Sequence, residues 1–461
     1  MDKKNLNISV LKDLDAILNN DSEKKPYDLS CLAEGYVVPA DFNLTGLTLN
    51  EMVVGPTGCG KSFSNAYSRL LHTEHSSVVV PITKKAIKEK FSEMFVRKGY
   101  KVLDLDFAHP ELCETGYDPM DYIKRDEDVI QLAKALVEGA DDGTLRRKDD
   151  PYWNESATSV IAAEIALVRM NAAYIGRKPC FAEVIELHRS IKVDTSERIM
   201  KINLDAIFEE MENRFPGNQA SDLWKSVKGN ASVTASCIID IANNALNRVF
   251  SENVIKMTQK EKRVDFAQLG REKTALFITT SPMNMTLVNL VNLMYADMFR
   301  TLFEQAEDNP DSRLEIPVHI ICDDFACGSK ICDFEDYISI FRAAGISVTL
   351  LLQSESQLVT MYGESAATTI RNNCDTYIYM GGNDYETCRM VSKRWNRSLS
   401  TVMNIPLETV IVFRRGSEPV MARRYQILDD PEYKKLMADM DEEKPKAKKS
   451  KSKQTVDIIE I

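Results

Sequence analysis

The chain has 461 residues with 44% hydrophobic and 28% charged side chains, which excludes wholesale disorder, a collagen-like repeat and a disulfide-stapled miniprotein, and suits two or three domains. A net charge of −11 gives no overall attraction for nucleic acid, so any such contact must use a local patch or the inner surface of an assembly. The ten cysteines show no zinc-type spacing, and the longest apolar runs, Ile316–Cys322 and Ile346–Leu352, are far shorter than the roughly 20 residues of a membrane-spanning helix.

Residues 1–35 are polar and predict a lead-in with a short helix at Val10–Leu18. From Gly35 the sequence turns β-like, and Glu51–Gly55 predicts a strand that stops at a glycine-rich turn, with a helix from Ser62. Ser77–Ile82 predicts a strand, Lys84–Lys98 a helix and Lys101–Asp106 a strand, the alternation of a parallel sheet. The rhythm breaks at Asp149-Asp150-Pro151. From Trp153 to Met257 the apolar residues fall at helical spacing, which predicts an all-α domain inserted over 150–261. Strands return at Ala275–Thr280, Pro317–Cys322, Ser347–Gln353 and Thr376–Met380, with a long helix over Thr286–Gln305. The fold class is therefore α/β, with one domain built from 36–149 and 262–435. Residues 436–461, containing the basic tract Lys444–Lys453, predict a charged tail that buries too little to order itself.

The segment Gly55-Pro56-Thr57-Gly58-Cys59-Gly60-Lys61-Ser62 completes the G-x-x-x-x-G-K-[ST] pattern between a predicted strand and a predicted helix. Glycines let successive N–H groups wrap a phosphate, Lys61 neutralises β/γ charge and Ser62 can ligate Mg²⁺. Such a loop needs an acidic element at the end of another apolar strand, and Val318–Cys322 delivers Asp323 and Asp324 there. Asp323 would hold Mg²⁺ through water, and Asp324 would orient or deprotonate the attacking water. Gln353 ends a third strand, where it could read a γ-phosphate. Arg342 is either a surface arginine, which spacing alone favours, or a finger that reaches across a subunit boundary.

Taken together, the motifs resemble those of the type IV secretion coupling proteins, the TraG-like ATPases of conjugative transfer. The matching stretches are Val53–Ser62, Tyr117–Met120, Asp150–Ala157, Ile320–Ala326, Phe341–Gln357, Met361–Gly363 and Met380–Asp384, spread from about Gly35 to Tyr433. The resemblance implies a RecA-like P-loop NTPase domain with an inserted all-α domain, assembled as a homo-hexamer. It implies ATP and Mg²⁺ as cofactors, and relaxase, single-stranded DNA and the secretion channel subunits as partners. Carried over by position, Lys61 and Ser62 serve phosphates and Mg²⁺, Asp323 and Asp324 form the Walker B pair, Gln353 is a sensor and Arg342 a trans-acting finger. The family usually has glutamate where Asp324 stands, and an Asp-Pro-Lys-Gly-Glu element where this chain reads Val80–Ala86 with only Lys84 in common. These departures keep a second reading open, an ATP-binding recruitment platform that hydrolyses weakly or not at all. Most members also begin with transmembrane helices; the expectation here is a cytoplasmic protein, docked at the inner face of the membrane through a separate anchoring partner.

Overall fold

The computed structural model describes residues 26–82, 85–139, 152–194, 201–228, 232–281, 287–323, 325 and 330–443. In chain order its strands are β1 (Asp28–Ala33), β2 (Tyr36–Ala40), β3 (Glu51–Val54), β4 (Ser77–Ile82), β5 (Lys101–Asp106), β6 (Val193–Asp194), β7 (Lys201–Ile202), β8 (Thr274–Thr279), β9 (Val318–Cys322), β10 (Ile346–Leu352), β11 (Thr376–Tyr379), β12 (Thr409–Arg414) and β13 (Val420–Arg423). Nine of them form one sheet in the order β13-β12-β11-β3-β10-β9-β4-β8-β5. From β11 to β5 every pairing is parallel, and β12 and β13 extend one edge antiparallel.

The central strands β3, β9 and β10 are buried along their whole length, as strands covered on both faces must be. Their side chains alternate between two cores. Val318, Ile320, Cys322, Val348, Leu350 and Leu352 point to one side; Val53, Ile321 and Leu351 point to the other. On the second side lie the helix that follows Ser62, the hairpin of β1 and β2, α1 (Lys85–Arg97) and the C-terminal segment.

The first side carries the helical layer. It comprises α2 (Asp126–Gly139), α3 (Tyr152–Tyr174), α4 (Phe181–Arg189), α5 (Ser232–Val249), α6 (Glu252–Thr258), α7 (Val288–Glu307) and α8 (Phe334–Ala344), all contributing to one continuous core with the sheet. α3 is apolar nearly all round because α2, α4 and α5 pack against it. Its one fully buried acid, Glu164, is held by His188 Nδ1 at 2.9 Å; burial raises the carboxyl pKa while that contact opposes the rise. The chain leaves for this layer and returns side by side. Gly116 N donates to Lys262 O at 2.7 Å, and Val264 N donates to Gly116 O at 2.9 Å.

Three departures from the sequence expectations have local causes. β1 lies in the expected lead-in, because its polar residues have partners: Asp28 accepts from the amides of Glu74 and His75 at 2.6 and 2.8 Å, and Ser30 Oγ donates to Glu51 at 2.5 Å. Residues 436–443, expected in the tail, continue α9 (Pro431–Glu443), because Leu436 is buried and Met437 and Met440 pack on the core. The expected all-α insert also contains a two-residue ribbon, β6 with β7. The helix expected at Val10–Leu18 and the tract Lys444–Lys453 lie outside the described residues. Among the described residues no helix is long and apolar enough to cross a membrane.

Candidate nucleotide-binding site

The carboxyl ends of β3, β10 and β9 lie next to one another, and the sequence-predicted residues follow each of them. β10 pairs with β3 through Leu352 and Val54, and with β9 through Leu350 and Cys322. Gly55 N still donates to Leu352 O at 3.1 Å, so the loop begins tied to β10. A Cβ on Gly55 would stand 2.8 Å from both Cys59 Sγ and Met380 Cβ, which only glycine avoids. Gly58 and Gly60 have φ of 81° and 92°, the left-handed region that lets the loop curl before the helix begins. The first turns after Lys61, Ser62–Tyr67, wind as a π-helix, a form that recurs at functional sites.

Lys61 is buried, and its Nζ donates to Gly55 O at 2.6 Å and Pro56 O at 3.0 Å. The amides of Thr57, Gly58 and Gly60 donate to no group among the described residues. The loop is thus a concave nest of N–H groups with an ammonium on its floor, the electrostatics an oligophosphate requires. Ser62 Oγ donates to the Asp323 carboxylate at 2.8 and 2.9 Å, across 261 residues of sequence. A hydroxyl beside a carboxylate at the phosphate end of the loop is a fitting donor pair for a hard, oxygen-liganded cation.

Gln353 follows β10 directly and is half-buried, its backbone N–H donating to Gln357 Oε1 at 3.1 Å. Arg342 is not brought to this cluster. It is exposed in the last turn of α8, and Gly345 then turns the chain into the opposite end of β10. That strand's seven residues, at about 3.3 Å each, put it roughly 20 Å from the loop. Asp324 and Lys84 lie outside the described residues.

The site contains one residue that sequence reasoning missed. Arg424, just past β13, donates from Nη1 to Cys59 O at 2.5 Å while Nη2 pairs with Glu408 at 3.2 Å. A Cβ on Gly60 would meet that Nη1 at 2.5 Å, so Gly60 also makes room for the guanidinium. No sequence signal marks Arg424, whose partner is a carbonyl 365 residues away. Nearby, the C-terminal segment is clasped to the same layer. His72 Nε2 meets Asp430 at 2.8 Å, and Lys90 Nζ lies over Phe63, Tyr67 and Tyr433 at 5.3–5.7 Å from their ring centres.

The model of the family described as type IV secretory system conjugative DNA transfer matches residues 19–397. Among solved structures, the bacterial conjugative coupling protein TrwBdeltaN70 in its unbound form is 20% identical, with a TM-score of 0.59, 89% of this chain covered and 91% of that one. TrwB in complex with ADP and Mg²⁺ gives 20% identity and a TM-score of 0.58, covering 89% of this chain and 92% of that one. VirB4 of Thermoanaerobacter pseudethanolicus is 10% identical with a TM-score of 0.51, covering 88% and 98%. At these identities the likeness establishes the fold, a P-loop α/β domain carrying a helical insertion. No curated protein sequence matches the chain.

Proposed function

Because the chain belongs to the type IV secretory system conjugative DNA transfer family, we propose that it is an ATP-driven coupling protein that recruits a relaxase–DNA substrate and delivers it to the secretion channel. The observation that carries the reading is the contact of Ser62 with Asp323 beside the buried Lys61, at the ends of neighbouring strands. TrwB, of the same fold, has been solved with an ATP analogue and with ADP and Mg²⁺, which supports the same cofactors here.

In this reading the amides of Thr57, Gly58 and Gly60 hold the β-phosphate, and Lys61 exchanges its two carbonyl partners for β/γ oxygens. Ser62 and Asp323 would hold Mg²⁺, which neutralises charge that develops on the phosphates. Asp324 orients the attacking water, and Gln353, just past β10 and beside the loop, senses the γ-phosphate. Arg342 sits too far away to act within its own subunit, so it serves the site of a neighbour in a homo-hexamer, stabilising transition-state charge. The motor comprises 36–149 and 262–435, and the helical insert 150–261 carries substrate recognition. A separate membrane partner would supply anchorage at the inner face.

The test is nucleotide binding and hydrolysis by the native chain, Lys61→Ala and Asp324→Glu. Native turnover well above Lys61→Ala supports the motor. Tight ATP binding with turnover only in Asp324→Glu would replace it with the ATP-gated recruitment platform.

A further inference from the structure

β11 runs parallel to β3, so its amino end lies at the opposite end of the sheet from the nucleotide loop, and a separate cavity of about 350 Å³ opens there on the first side of the sheet. That volume falls within the range of about 300–1,000 Å³ usual for small-molecule sites. Its walls are the end of the helix Glu364–Asn372 with the turn after it, Tyr377 of β11, one face of the helix Tyr385–Trp395, and Arg415 just past β12. Cys374, Met390 and Val391 supply an apolar wall, and Arg371, Arg394 and Arg415 supply charge.

With partners included, the cavity is positive by one. Arg371 Nε donates to Glu355 at 3.0 Å. Arg415 Nε pairs at 3.1 Å with Asp375, a carboxylate that also accepts from Thr48 N at 2.6 Å. Three cations against these two acids leave one charge over, and it belongs to Arg394. The furrow on the far side of Arg371 adds Arg389 and Lys393 against Glu364 and Glu386, so the balance does not change.

Arg394 makes no hydrogen bond or ion pair among the described residues. Its guanidinium lies over the rings of Tyr377 and Phe413, 5.2 and 4.9 Å from their centres, which fixes its plane and leaves the N–H groups on its edge for another partner. Burial lowers its pKa, so the charge is held where water screens it poorly and no counter-ion stands beside it. Tyr377 is 1% exposed, and its hydroxyl has no hydrogen-bond partner among the described residues. Burial and the neighbouring Glu355 keep the phenol pKa well above its usual value, so this group is a donor. A buried donor without an acceptor is costly. Arg394 and Tyr377 both need an acceptor, and both line the same cavity.

We propose that this cavity binds a small phosphorylated molecule, with Arg394 and Tyr377 donating to the phosphate oxygens and Arg371 and Arg415 adding charge around it. A phosphate group brings three strong acceptor oxygens and up to two negative charges. Donors carried on two helices, a strand and a loop surround a tetrahedral group, whereas a planar carboxylate would engage the fork of Arg394 alone. The site shares no residue with the nucleotide loop and does not depend on the functional reading. Arg371 is left unaltered in the test, because it also anchors Glu355 in the first turn of the helix Glu355–Tyr362.

The test is isothermal titration calorimetry of inorganic phosphate, glycerol 3-phosphate and acetate into the full chain, with excess ADP and Mg²⁺ to fill the nucleotide loop. Variants are Arg394→Gln, Arg394→Lys, Tyr377→Phe and, as a control on the helical layer, Arg189→Gln; thermal melting of each checks folding. The native chain should bind one or both phosphates saturably at millimolar concentration or below. Arg394→Gln and Tyr377→Phe should each weaken binding about tenfold, the effect of losing a hydrogen bond to a charged group. Arg394→Lys should not restore it, since an ammonium has no plane to stack and no fork, and Arg189→Gln should bind as the native chain does. Tighter binding of glycerol 3-phosphate than of phosphate would identify the ligand as an ester, and equal binding as free phosphate. Acetate bound as tightly as either would overturn the phosphate assignment in favour of a carboxylate. No saturable binding by the native chain, or binding unaltered in both Arg394→Gln and Tyr377→Phe, would overturn the site. A native chain that binds phosphate in this manner but does not bind ADP would contradict the nucleotide reading while supporting this one.

Discussion

Lys61, Ser62 and Asp323 meet because two strands end at the same level, and each residue-scale expectation can be checked there. Gly60 and Gly58 both have left-handed φ, but a Cβ at Gly58 points into open space while one at Gly60 meets the Arg424 guanidinium. Gly58→Ala should therefore cost only the backbone strain, about 1–2 kcal/mol, whereas Gly60→Ala should also displace Arg424 and abolish binding of a fluorescent ATP analogue. Equal effects of the two would show that Arg424 is unimportant. Arg424→Ala removes a charged hydrogen bond to the loop carbonyl of Cys59, a class worth about 1.5–3 kcal/mol. Nucleotide affinity should fall about tenfold or more, and Arg424→Lys should not restore it, because one ammonium cannot hold Cys59 O and Glu408 together. The P-loop was legible in the sequence because its chemistry demands contiguous residues. Asp323 was legible because it terminates an apolar strand. Arg424 was not, since a side chain that bonds a distant carbonyl leaves no spacing to read.

At the scale of elements, the strands that the sequence displays most clearly are those buried on both faces. β10 lies between β3 and β9 and is where a core change should reach the site most directly. Leu350, in the second half of the strand, is fully buried; Leu350→Ala should cost about 2–5 kcal/mol in urea unfolding. A cost near zero would mean that the strand is not core. β13 escaped notice because it is an edge strand with Val420 and Met421 exposed, so no alternation of apolar residues marks it. The clasp between His72 and Asp430 is a contact between elements with its own pH signature. Burial opposes charge on His72, but hydrogen bonds with Asp430 and Cys31 together outweigh it and push its pKa up to about 10. Burial likewise opposes charge on Asp430, yet hydrogen bonds from His72 and Tyr425 pull it down to about 2. The His72 contribution is complete below its unfolded value of about 6.5 and is lost as pH rises through 10. The Asp430 contribution is present above about 3.9 and is lost as pH falls through 2. Hydrogen exchange of α9, corrected for intrinsic rates, should therefore show protection that declines from pH 6.5 to 10, and His72→Gln should remove that dependence. An unchanged profile in the variant would place the clasp elsewhere.

For the whole molecule, the interruption of the parallel sheet by helices was visible as a change of hydrophobic period, and the family resemblance followed from the order of motifs. The exact extent of the helical layer was less visible. α2, which precedes the break at Asp149-Asp150-Pro151, packs against α3 and α5 and so belongs physically with the helices that follow. Arg342 lies at the far end of β10 from the loop, so in the proposed reading it serves the site of a second copy of the chain. Steady-state ATP hydrolysis of the purified chain, with and without single-stranded DNA and over a range of protein concentrations, tests the motor most directly, with Lys61→Ala and Arg342→Ala alongside. Turnover that rises with both DNA and concentration, and falls to background in both variants, is the expected result. Turnover by the native chain that never exceeds that of Lys61→Ala would contradict it.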